Sequence, residues 1–157
     1  MKLRLASLSA VILLATSRVV AQTDAPRIAV LAFQGSSDSL QAAARALGTS
    51  VRARISTNTG VAMLLGPPLD GAQQDSIRTV LRRDTLQATV YFVGGLLTTR
   101  QDGRKELILK AVDARHDNVV AGQRLAVPTV AELNMQTDSL VAQLLRGITT
   151  ARARRRG

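Results

Sequence analysis

ATVYFVGGLLTTRQDGRKELILKAVDARHDNVVAGQ, residues 88–123, is the stretch that decides the fold of this chain. Two runs of β-branched and aliphatic residues flank Asp102-Gly103, a dipeptide typical of the tight turn of a β-hairpin. A third run, residues 118–128, follows the second one after a short polar segment. The stretch therefore predicts three consecutive antiparallel strands.

The polar segment DARHDN, residues 113–118, contains the only histidine of the chain, between carboxylates and an arginine. It lies where the second and third strands must reverse direction. Asp and Asn favour such positions because their side chains bond nearby backbone groups. We expect a turn with His116 at its tip.

Upstream, the pattern changes to that of a parallel sheet. RIAVLAF, residues 27–33, is a continuous apolar run typical of a buried strand, and residues 61–66 form a second one. Between them, Ser36 or Ser37 can cap a helix whose first turn holds Asp38. Its inner face is predicted to contain Leu40, Ala44, Leu47, Val51 and Ile55. Two strands joined by a helix predict a right-handed parallel crossover.

Two further helices are expected. Asp70 can cap the first, with Ile77, Val80 and Leu81 facing inward and Arg78, Arg82 and Arg83 facing outward. Thr129 and Glu132 form a capping box that begins the second. The second helix should cover the antiparallel strands with Leu133, Leu140, Val141, Leu144, Leu145 and Ile148.

Together these elements predict an α/β domain over residues 27–150. It has a single mixed sheet, with a parallel first half that includes a crossover helix and an antiparallel meander in the second half. About three helices flank the sheet. Gly94-Gly95 within the meander indicates a bulge or a close backbone approach.

The first 21 residues are typical of a secretory signal peptide. Lys2 and Arg4 precede a short apolar run, and the small residues Val19 and Ala21 suit cleavage after Ala21. Residues 22–26 form a linker. The alternative is a retained amino-terminal anchor. After cleavage we expect no transmembrane span, a soluble protein and a periplasmic location. The chain has no cysteine, which excludes disulfides and a lipidated cysteine.

Much of the net charge of +10 lies at the two ends of the chain. The segment 151–157 is a basic tail with Arg152, Arg154, Arg155 and Arg156. Such a tail can bind anionic lipid or cell-wall polymer, or it can be a disordered, solubilising end. Aromatic residues make up only 2% of the chain, which argues against base stacking and hence against a nucleic-acid partner.

The quoted stretch, together with RIAVLAFQGSSDS at residues 27–39, resembles the TolB amino-terminal-like domain. That domain belongs to a wider group of envelope domains with relatives of CsgG, FlgO and LpoB. The matching features are Phe33 at the end of the first strand, Gly94 or Gly95, and the pair Asp113-Ala114 before a turn. The resemblance implies a mixed sheet with flanking helices and contacts with other envelope proteins.

The sequence offers little for catalysis. Ser36 or Ser37 with His116 and an aspartate could form a hydrolase triad, but no G-x-S-x-G motif surrounds either serine. A single His without Cys cannot supply a usual zinc set. The loop QGSSDS lacks the lysine of a phosphate-binding loop. We therefore expect no enzyme activity, no catalytic residues, no metal and no cofactor.

We expect instead a non-catalytic exported binding or adaptor domain of the bacterial cell envelope that contacts envelope proteins. The candidate contacts are Gly35, Ser36, Ser37, Arg152, Arg154, Arg155 and Arg156. The alternative is a periplasmic sensor of a small molecule or anion, which would use the loop 35–39 at a helix start.

Overall fold

The computed structural model describes residues 25–64, 68–83 and 89–157. The expected signal peptide, most of the linker, and parts of the second apolar run lie outside these ranges. The described chain forms one mixed sheet with helices on both faces, so the predicted α/β class is confirmed.

The sheet has six strands within the described residues. They are β1 (Arg27–Val30), β2 (Gln34–Gly35), β3 (Ala62–Met63), β4 (Val90–Thr99), β5 (Lys105–Asp113) and β6 (Asn118–Val127). Their spatial order is β3-β1-β4-β5-β6, with β2 alongside β4. β1 runs parallel to β3 and β4, whereas β4, β5 and β6 form the antiparallel meander.

The first strand is shorter than its apolar run suggests. β1 ends at Val30, and the chain rejoins the sheet as β2, where Gln34 and Gly35 pair in parallel with the second half of β4. The interruption places Phe33 on Gly95, where a Cβ atom would lie only 2.4 Å from the ring. The close approach at this glycine is made by the Phe33 side chain rather than by another backbone, and the expected alternative of a bulge is absent because the β4–β5 register is regular there.

Four helices accompany the sheet: α1 (Asp38–Ser56), α2 (Gly71–Arg83), α3 (Val130–Met135) and α4 (Thr137–Arg156). One helix was expected where α3 and α4 lie. The chain breaks at Gln136, and the fully buried Thr137 begins α4 with its hydroxyl donating to the Leu133 carbonyl oxygen at 3.2 Å. None of the described helices is both long and apolar enough to cross a bilayer.

Most of the core lies between one face of the sheet and helices α1, α3 and α4. All the inward positions predicted for α1 and for the carboxy-terminal helices are buried, which confirms both amphipathic patterns. The residues concerned are Leu40, Ala44, Leu47, Val51, Ile55, Leu133, Leu140, Val141, Leu144, Leu145 and Ile148.

Helix α2 packs on the other face, above the beginning of β4. Asp70 caps it as predicted: its Oδ1 accepts from the Gln73 N–H at 2.9 Å. Two side-chain predictions were wrong. Val80 is 65% exposed, and Arg78 lies over the ring of Phe92, 5.4 Å from its centre. Helix α2 contacts the sheet through Ile77, Arg78 and Leu81, and Val80 lies outside this contacting side of the helix.

Candidate functional site

Two N–H groups of the loop proposed as an anion site, those of Gly35 and Ser36, are engaged in internal hydrogen bonds. The Gly35 N–H donates to Gln41 Oε1 at 2.9 Å, and the Ser36 N–H donates to the Leu97 carbonyl oxygen at 2.8 Å. Ser37 stands at the N-cap of α1 but forms no capping bond, and its Oγ lies 2.9 Å from Ser39 Oγ. An anion bound to the Gly35 and Ser36 N–H groups would have to displace these two bonds, and it would face the Asp38 carboxylate in the first turn of α1. The Gly35 and Ser36 N–H groups are therefore not free to bind an anion in this conformation.

The 113–118 segment is a turn, as predicted. His116 is 60% exposed at its tip, and Asp117 adopts a positive φ of 54°. Asp113, at the end of β5, is buried and organises the turn: its Oδ1 accepts from the N–H groups of Arg115 at 2.9 Å and His116 at 3.1 Å.

The other carboxylate oxygen of Asp113 reaches the end of the chain. Oδ2 accepts a hydrogen bond from Arg155 Nη1, and Arg155 Nη2 donates to Asn118 Oδ1 at 3.3 Å. Burial raises the pKa of Asp113, but the hydrogen bonds from His116, Arg155 and Arg115 outweigh it and hold the pKa below its ordinary value. The segment expected as a basic tail thus continues α4 to Arg156, with Arg155 anchored on the sheet.

Asp117, on the same turn, contacts the opposite side of the sheet. It pairs with Arg78 of α2 at 2.9 Å, and that guanidinium also covers Phe92. The turn therefore ties α4 to the sheet through Asp113 and α2 through Asp117. Sequence inspection missed this role for Arg78, because the two partners are 39 residues apart and no local pattern links them.

The serines and the histidine considered for hydrolysis are not brought together. Ser36 bonds Leu97 near one end of β4, whereas the 113–118 turn meets Val90 at the other end. Seven residues of strand separate these points by roughly 20 Å. His116 contacts Asp113 alone of the proposed set, at 3.2 Å. In the described ranges no three His, Cys, Asp or Glu side chains cluster as metal ligands would.

The last strand of the sheet is a long exposed edge. β6 has ten residues and, within the described chain, pairs only with β5. At the opposite edge β3 has two residues. Long unpaired edges offer a template for another strand, whereas short edges do not. None of the β6 residues is fully buried, and Val119 is 56% exposed.

The register shows which β6 backbone groups point away from the sheet. The Arg104 carbonyl oxygen accepts from Arg100 and the Ala114 N–H donates to Val90, so even-numbered residues along β5 bond to β4. Odd-numbered residues of β5 therefore bond to β6, since successive residues of a strand bond to opposite sides. Between Lys105 and Ala111, before the register shift at Ala111/Val112, their partners are Ala121, Gln123, Leu125 and Val127. Gly122, Arg124 and Ala126 then direct their N–H and C=O groups outward.

These edge residues were not among the predicted contacts. The sequence contained a usable signal: the two predicted turns place the strand at 118–128 last in the meander, where nothing follows it in the sheet. The predicted contacts lie instead at a helix start and in a basic segment, both of which are recognisable from local sequence.

Comparison with known proteins gives structural similarity only. No family model matches the chain, and no curated protein matches it. Similar solved structures include TolB from Acinetobacter baumannii, with 17% identity and a TM-score of 0.49. They also include a dodecamer of a PelC point variant from Paraburkholderia phytofirmans, with 14% identity and a TM-score of 0.47. A third is lipoprotein GNA1162 from Neisseria meningitidis, with 13% identity and a TM-score of 0.45.

The coverage of these structures differs. The similarity covers 79% of this chain but 29% of the TolB chain. It covers 78% of this chain and 87% of PelC, and 76% of this chain and 96% of the Neisseria lipoprotein. At these identities and TM-scores, the similarities assign no activity, partner or assembly to the chain.

Proposed function

We propose that this chain is a non-catalytic binding domain that takes up an extended segment of a partner protein along β6. The observation that carries the proposal is the ten-residue edge strand with outward backbone groups at Gly122, Arg124 and Ala126. An added strand would pair with these groups and extend the sheet by β-augmentation.

The other two candidate surfaces are less suited to this role. The loop at Gly35 and Ser36 has both N–H groups engaged, and Arg155 is held by Asp113. The edge groups of β6, in contrast, have no partner among the described strands. Among the described strands, an added strand would displace no existing partner at this edge.

Backbone pairing alone would give a modest affinity. Three outward residues offer about six backbone groups, and each hydrogen bond contributes roughly 0.5–1.5 kcal/mol net. Ordering a flexible segment opposes binding by about 2–5 kcal/mol. Side-chain contacts must therefore supply the specificity and part of the affinity.

The proposed setting is the periplasm, with an envelope protein as the partner. The support is the amino-terminal sequence, in which Lys2 and Arg4 precede an apolar run followed by small residues.

Ala126→Pro tests the proposal, because it removes one outward N–H and leaves the inward bonds of β6 in place. Ala126→Ser is the matched control, since it changes the same side chain and keeps the N–H. Both proteins are immobilised and exposed to periplasmic extract, and the bound proteins are quantified by mass spectrometry. We expect a protein retained by the wild type and by Ala126→Ser to be lost from Ala126→Pro. Equal retention by both variants would contradict strand addition.

A further inference from the structure

On the face of the sheet opposite the main core, one lysine stands between two glycines. The register pairs Lys110 of β5 with Gly94 of β4 on one side and with Gly122 of β6 on the other. Directly paired residues on one face are the closest side-chain neighbours in a sheet. Gly94, Lys110 and Gly122 thus form one row across the three strands, in which neither neighbour of Lys110 has a side chain. Only Gly122 lies between Lys110 and the outer edge of β6.

A shallow apolar cavity lies beside this row. It has a volume of about 220 Å³ and is lined by Gly94, Gly95, Leu96, Ile108 and Lys110. Pockets for whole small molecules measure roughly 300–1,000 Å³, so this space is better matched to one side chain of a larger partner. Leu96, in the neighbouring row, is 40% exposed.

The charge at this position is available to a partner. Lys110 is exposed, and no carboxylate in the described ranges forms an ion pair with it. Glu106 lies on the same face of β5 but pairs with Arg124, at 3.6 Å. An incoming anion would therefore meet a lysine that is not paired with Glu106, the acid on the same face of its strand.

We propose that the strand added to β6 carries an acidic side chain facing Gly122, and that this side chain extends over the glycine to pair with Lys110. The inference rests on the proposed function and names the partner chemistry: an extended peptide with Asp or Glu among strand-forming residues. The partner residue and Lys110 would be two strand spacings apart, roughly 10 Å. A lysine and a glutamate side chain cover that span together, and a larger residue at position 122 would obstruct it.

The test uses random decapeptides displayed on phage and selected on the immobilised protein. Peptides count as edge-dependent when binding is lost on Ala126→Pro and kept on Ala126→Ser. We expect these peptides to share Asp or Glu at one position. A parallel selection on the Lys110→Glu protein should yield peptides with Lys or Arg at the position that is acidic in the first selection.

Affinities of the selected peptides, measured by fluorescence polarisation, give a second readout. We expect Lys110→Met and Gly122→Val each to weaken binding about tenfold. The Gly122→Val protein should fold, because a Cβ at Gly122 would lie 3.7 Å from the Leu109 carbonyl oxygen, an ordinary contact. Circular dichroism verifies this.

The outcomes separate the two proposals. Edge-dependent peptides without a shared acidic position, or with the same acidic position on Lys110→Glu, would overturn the pairing with Lys110 and leave strand addition standing. A selection that yields no edge-dependent peptide would contradict both.

Discussion

Gly95 shows how much of the fold depends on a missing side chain. Phe33 packs directly on its Cα, so the aromatic ring lies closer to β4 than any other residue type would permit. This contact fixes where the chain leaves β1 and re-enters the sheet as β2. A glycine pair within a strand pattern indicates a close approach, but nothing local in the sequence identifies Phe33 as the partner.

Gly95→Ala should lower the free energy of unfolding by about 1–3 kcal/mol, because the added methyl group would overlap the Phe33 ring. Urea denaturation measures the change. Gly71→Ala is the matched control, since a Cβ at Gly71 meets no atom within 4 Å. Combining Gly95→Ala with Phe33→Leu should recover part of the loss. A Gly95→Ala protein as stable as the wild type would show that the ring can move aside without loss.

Asp113 should make the protein sensitive to acid. Its pKa is lower in the folded protein than in the unfolded chain, so its contribution to stability is present above the ordinary Asp value of about 3.9 and is lost as pH falls through the folded-state value. Asp113→Asn should reduce stability at pH 7 by about 1–3 kcal/mol, since it weakens hydrogen bonds to a charged group.

Urea denaturation at pH 7 and at successively lower pH tests this contribution. The stability difference between wild type and Asp113→Asn should shrink below about pH 4. Asp75→Asn changes a carboxylate whose side chain is 78% exposed and serves as control. A difference that stays constant down to the lowest pH would contradict the account.

At the scale of elements, the 113–118 turn does more than reverse the chain. Its two aspartates contact helices on opposite faces of the sheet, α4 through Arg155 and α2 through Arg78. Local sequence predicted the turn and the exposed histidine, because both depend on neighbours within a few residues. It could not predict the two ion pairs, whose partners are 42 and 39 residues apart.

Arg155→Ala should loosen the last turn of α4 while the rest of the helix stays ordered. Without the guanidinium, the last turn of α4 loses its hydrogen bonds to Asp113 and Asn118, and terminal turns of helices fray when such contacts are removed. Amide hydrogen exchange should become faster in this segment and in the 113–118 turn. Arg154→Ala removes an exposed arginine one position away and should leave both unchanged. Similar exchange in the two variants would show that Arg155 does not anchor the helix.

At the scale of the whole molecule, the sequence predicted the mixed sheet, the order of parallel and antiparallel parts, and the buried faces of α1 and α4. Those features follow from periodicity and turn chemistry, which are local. The break at Gln136 and the return of the chain as β2 depend on packing between distant segments. The candidate binding edge depends on which strand is left without a neighbour.

That edge is the central claim, and amide hydrogen exchange resolved by NMR tests it most directly. In the free protein, the amides of Gly122, Arg124 and Ala126 should exchange faster than those of Ala121, Gln123 and Leu125, which bond to β5. Adding a peptide obtained by selection on the edge should slow the first three and leave the others unchanged. If the alternation is absent in the free protein, or if the bound peptide does not protect these three amides, β6 is not where this domain binds an extended partner.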